Sequence, residues 1–143
     1  MILTTRVLSV VSSVALAKAM AHVLGRRGFS VDVVTSAERA MGVLTHYDCA
    51  VLADELPQAL ATAGWLLANG RADSVVFYGS SMDEEQRLRS ANLGSHVHAS
   101  EGLHRLSLVI SDAIEETRLV RAAGAEDPDS FRPEARTGPR RRR

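Results

Sequence analysis

The residues in this chain that could do chemistry are few, and most stand at the ends of short apolar runs. Asp54 and Glu55 follow the run Cys49–Leu52 (CAVL). Adjacent carboxylates can act as acid and base, but a hydrolytic pair needs a nucleophile or histidine beside it, and the local sequence offers neither. His96, His98 and His104 form a second group. An H-x-H pair on a strand puts both rings on one face, yet a third ligand would have to come from the start of the next helix, so ordinary edge-strand histidines are the plainer reading. Cys49 is the single cysteine. It can form no disulfide within the chain, and its apolar neighbours make it a buried, inert thiol, as a reducing cytoplasm permits. The glycine pair in Gly25–Gly28 (GRRG) ends a helical pattern instead of opening one, so it is no phosphate-binding loop. No metal and no cofactor is expected.

Short apolar runs alternate with amphipathic segments, and this alternation positions those residues. Arg6–Val11 reads as a first strand, with Ser13 placed to cap a helix through Leu16, Met20, Val23 and Leu24. Phe29–Val34 alternates as a half-buried strand, and Thr35–Glu38 has capping-box spacing ahead of a helix through Ala37, Met41 and Leu44. Cys49–Leu52 does not alternate, as expected of a strand covered on both faces. Pro57 hands over to a helix with Leu60, Ala63 and Leu67 inward, stopped at Asn69-Gly70. Ser74–Tyr78 is a fourth strand. Ser81–Glu84 has capping-box spacing before a short helix with Leu88 and Ala91 inward and Gly94 at its end. A fifth strand covers His96–Ala99. A last helix follows Ser100 to about Ala122, its buried face carrying Leu106, Ile110, Ala113, Ile114 and Thr117. This is an α/β chain, a doubly wound (βα)5 three-layer sandwich with a parallel sheet. Such sheets place their site at the carboxyl ends of the strands, beside the switch in strand order.

Composition agrees with one globular domain: 143 residues, 45% hydrophobic and 24% charged. No apolar run approaches the roughly 20 residues that cross a bilayer, so no membrane association is expected. The opening residues, MILTTRVLSVVSSVALAKAM, have a short apolar stretch, but Arg6 and Lys18 and the β-branched run favour a strand over a signal peptide. The net charge of +0 hides an asymmetry. Six arginines crowd the end, at Arg132, Arg136 and Arg140 to Arg143, which leaves the rest of the chain acidic.

In order and spacing the chain resembles the receiver domain of bacterial response regulators, over about residues 6–120. RVLSVVSS is similar to the first strand, GRRGFSVDVVTSAERAM to the turn, second strand and helix start, and HYDCAVLADELP to the stretch around the phosphoacceptor. DEEQRLRSANLG is similar to the fourth helix, and a helix of about 20 residues closes the domain. The resemblance implies a flavodoxin-like sheet of order 2-1-3-4-5 and a role in two-component phosphorelay signalling.

The chemistry that the resemblance implies does not match the residues. The family's acidic pair falls on Ser12 and Ser13, the acceptor aspartate on Ala53, the hydroxyl residue on Gly79 (Ser80 on a one-residue shift), the lysine on Glu101 and the aromatic switch on His98. Mg²⁺ wants one or two carboxylates in a near-octahedral oxygen shell. Two serines and an alanine supply no charge and no nucleophile, and Glu101 would repel a phosphoryl group. The chain therefore reads as a pseudo-receiver, not an enzyme, acting on an unidentified signalling partner. Asp54 as a displaced acceptor is the alternative, but one step along a strand turns a side chain to the opposite face, and a solvated carboxylate is the plainer reading. The family's face of fourth helix, fifth strand and last helix would carry Arg87, His98, Leu108 and Arg118 as partner contacts, and a homodimer could form through it. Domain limits are 1–122 for the receiver-like unit and 123–143 for a disordered basic tail. That tail could contact nucleic acid through phosphates alone. With only Phe131 for stacking, a solubilising tail is the simpler reading.

Overall fold

The computed structural model describes residues 4–126 and consists of five strands and five helices in alternation. The strands are β1 (Arg6–Val10), β2 (Ser30–Val34), β3 (Cys49–Ala53), β4 (Val75–Gly79) and β5 (Ser95–His98). The helices are α1 (Val14–Arg26), α2 (Ala37–Met41), α3 (Ala59–Ala68), α4 (Glu84–Ser90) and α5 (Gly102–Glu126), with a 3-10 turn at Ala99–Glu101 before α5. All strand pairs are parallel and the order is β2-β1-β3-β4-β5. This is the doubly wound sheet expected from the alternation of elements. α1 packs on α5, and α2 on α3, which gives the two helical layers.

β3 shows why the pattern was readable. All five of its residues are buried, as a central strand between two helical layers must be. The core around it joins Leu8, Val10, Leu52 and Phe77 of the sheet to Met20, Leu66, Leu106 and Ile110 of the helices, all fully buried. Cys49 lies within this core, and burial pushes its thiol up to about 12. The thiolate needed for reaction is therefore not accessible at neutral pH.

Several local expectations shift. α2 stops at Gly42 after five residues, so Leu44 is 86% exposed instead of packed. The caps move along the chain: Ser36 accepts from Arg39 N, and Asp83 with Gln86 forms the capping box of α4. α3 buries Ala59, Thr62, Ala63 and Leu66, a face rotated by one residue from Leu60 and Leu67. Leu88 and Ala91 do not face inward; Leu88 is 68% exposed and the one buried residue of α4 is Ser90. The cause is position. α4 packs on β5, a four-residue strand at the sheet's edge, so little apolar surface is there to receive it. α5 continues to Glu126, so residues 123–126 are helical and the rest of the basic tail lies outside the described residues.

Polar pairs at the amino ends of the strands fasten the loops to the last helix. Asp73 accepts two hydrogen bonds from the Arg121 guanidinium, at 2.6 and 3.1 Å, and its carboxylate lies 2.8 Å from His46 Nε2. Burial works to raise the Asp73 pKa, but His46 and Arg121 outweigh it and hold the carboxyl below its usual value. A group depressed in this way stabilises the fold above its unfolded pKa and loses the effect as pH falls through the folded one. Asp73→Asn should cost on the order of 1 kcal/mol at pH 7, the figure kept small by solvent around the two exposed partners. The difference from wild type should close below about pH 4. Urea unfolding at pH 7 and at pH 3 measures both quantities.

Candidate functional site

The loops after β1, β3 and β4 meet at the carboxyl edge of the sheet. β1 ends at Val10, and the exposed Ser12 and Ser13 follow, with Ser13 Oγ accepting from Leu16 N as the cap of α1. Ser13 is therefore spent on its own helix. Ala53 is the last residue of β3 and is 1% exposed. It pairs with Tyr78 of β4, one residue before Gly79. Ala53, Gly79, Ser80, Ser81 and Ala99 line one crevice of about 240 Å³. The structure thus brings Ala53 and Gly79 together where the sequence placed them.

Glu101 does not join this group. It sits in the 3-10 turn, where its Oε2 accepts from His98 N at 2.9 Å, and it faces Arg105 at 3.8 Å. The residue that β5 delivers to the crevice is Ala99. His98 is exposed, and its Nδ1 accepts from Ser100 N while sharing a hydrogen bond with Ser100 Oγ. It caps a turn and has no part in the crevice. His96, His98 and His104 form no metal site: among the described residues no three His, Cys, Asp or Glu side chains are placed to hold an ion.

Asp54 departs most from expectation. It is not a solvated carboxylate; its side chain is 1% exposed. Oδ1 accepts from Ser81 N at 3.1 Å, and Oδ2 lies 2.8 Å from His96 Nε2, whose side chain is 15% exposed. One step past Ala53, the carboxylate has turned toward β4 and β5. Gly79 leaves the space for it: with φ at +143°, it has no side chain where a Cβ would overlap Asp54 Oδ1. Local spacing does not reveal this pair, because its members lie 42 residues apart, one just past β3 and the other within β5. The one available signal is a carboxylate two residues past one expected strand and a histidine opening another.

Mg²⁺ does not fit these residues. The positions that would ligate it offer two hydroxyls and a methyl, and the one nearby buried carboxylate already has both oxygens engaged.

The expected partner face is only partly assembled. Arg87 and His96 line a crevice of about 570 Å³ between α4, β5 and α5, with Glu116 across from them. Leu108 is half-buried on α5. Arg118 points elsewhere: its Nη2 donates to Thr5 Oγ1 ahead of β1.

No protein-family model and no curated protein matches the chain. Solved structures do. The signal receiver domain of an HD domain-containing protein from Pseudomonas fluorescens superimposes with a TM-score of 0.74 at 15% identity, covering 85% of this chain and 95% of that one. The receiver domain of a Francisella response regulator gives 0.70 at 14%, over 80% and 99%. A two-component response regulator from Clostridium difficile gives 0.70 at 15%, over 78% and 97%. The chain has the receiver fold.

Gly79→Ala should destabilise the protein by about 2–4 kcal/mol, because it combines a strained φ with displacement of a buried, hydrogen-bonded carboxylate. Chemical denaturation monitored at Trp65 reads the loss.

Proposed function

We propose that this chain is a receiver-like signalling module that works without phosphorylation of its own, by binding a protein partner. The fold supports a response-regulator-like role. The finer reading rests on Ala53, a methyl group at the end of β3 where the chemistry of this fold requires a carboxylate. Ser12 and Ser13 add no charge, and Ala99 brings no cation to the crevice. With neither nucleophile nor counter-ion, the module has no route to an acyl phosphate, and no catalytic role is proposed for it.

Asp54 is a poor substitute. Attack on a phosphoryl donor needs a free carboxylate oxygen, and both of its oxygens are held inside the protein. The signal, on this reading, is carried by surface. The crevice between α4, β5 and α5 combines Arg87, Asn92 and Glu116 with an open, polar rim, which suits a protein partner or a second copy better than an apolar ligand. No helix among the described residues is long and apolar enough to cross a membrane; a cytoplasmic location is part of the proposal.

The test is affinity co-purification from the native cell after nuclease treatment. The full chain and a chain ending at Glu126 would each be used with and without acetyl phosphate and Mg²⁺. The proposal expects one protein partner retained to the same extent in all four. Retention that depends on the phosphoryl donor would restore phosphotransfer, and loss of every partner on truncation would transfer the role to the arginines beyond residue 126.

A further inference from the structure

α4 is held to the body of the protein by very little. Six of its seven residues are exposed, Leu88 among them, and Ser90 alone is buried. Its capping box, Asp83 with Gln86, is internal to the helix and attaches it to nothing else. A segment with so little buried apolar surface is drawn from the least stable part of a fold. On either side of the helix, Met82 and Leu93 pack partly buried against the core, and two backbone features fix the ends of the segment. Behind it, Gly94 presses so closely on the Val75 carbonyl that a Cβ has no room. Ahead of it, the backbone N–H of Ser81 donates to Asp54 Oδ1.

The second attachment depends on a third element. A carboxylate whose side chain is 1% exposed needs hydrogen-bond partners to stay inside. His96 Nε2 supplies one at 2.8 Å, on the strand beside β4. Without the imidazole the buried carboxylate is uncompensated, and its way to water is the crevice it already borders. Ser81 N then loses its acceptor. His96 also lines the crevice between α4, β5 and α5, so the same ring touches the surface on one side and the buried carboxylate on the other.

We propose that the Asp54–His96 pair is a tether for α4: it holds residues 80–93 against the sheet, and its opening releases them as one unit while the rest of the fold stays intact. A partner that engages His96 from the surface crevice would thereby set the position of α4. The tether concerns this chain alone, so it stands or falls independently of whether the proposed partner exists.

Hydrogen exchange of the full chain followed by NMR tests it. In the wild type, amides of residues 80–93 should open together and more readily than those of β1, β3 and α5. His96→Ala and Asp54→Ala should each speed their exchange by about 10- to 100-fold, the effect of losing one charge-assisted hydrogen bond. Core amides should keep their protection, and the double variant should be no faster than either single one. His96→Gln, which keeps a nitrogen donor, should restore much of the protection. Additive effects in the double variant, equal acceleration across the whole chain, or exchange of residues 80–93 only on global unfolding would each overturn the proposal. The last of these is read from the wild type, so the test holds even if a variant fails to fold.

Discussion

Taking a carboxylate out of water costs several kcal/mol unless donors and charge replace its hydration. Asp54 meets that demand with an N–H from the β4–α4 loop and an imidazole from β5. The carboxyl edge of the sheet is arranged around this requirement. Gly79 is side-chain-free where the carboxylate fills the adjacent space, and Ala53, buried at the end of β3, directly precedes it. Three strands that share no turn are joined by one side chain. The helix with the least packing of its own, α4, stands directly behind that junction.

The same arrangement decides what the crevice can do. A parallel sheet collects loop ends at its carboxyl edge, and this sheet delivers serine hydroxyls, two methyl groups and a glycine there. Two carboxylates line it, Asp54, which is engaged with Ser81 N and His96, and the exposed Glu55; Glu101 and Asp83 are held by their own turn and helix outside it. At the surface, α4, β5 and α5 leave an open polar groove lined in part by His96, which holds Asp54, and the proposed reading puts a partner there.

Most of this architecture was legible in the residues. Strand limits fall within one or two residues because the apolar runs are short and sharply bounded, and the run in β3 does not alternate, as burial on both faces requires. Ala53 and Gly79, reached by counting from Pro57 and the strand ends, do share one crevice. Glu101 does not join them, since the 3-10 turn after His98 carries it away from the crevice and leaves Ala99 there. Periodicity points Leu88 of α4 inward, but it reports a helix and not whether a partner surface lies beneath it, and Leu88 is exposed. The Asp54–His96 pair was out of reach altogether. Local spacing made Asp54 a loop carboxylate, and only the packing of β5 beside β4 brings an imidazole to it.

The central claim is that this receiver fold signals without acquiring a phosphoryl group, and amide NMR during titration with Mg²⁺ and beryllofluoride tests it most directly. The account predicts no saturable shift at Ala53 to Glu55, Gly79 to Ser81 or His96. Saturable shifts centred on Asp54, with the signals of α4 moving in step, would contradict it, because they would mean that the carboxylate can leave His96 to receive a phosphoryl mimic.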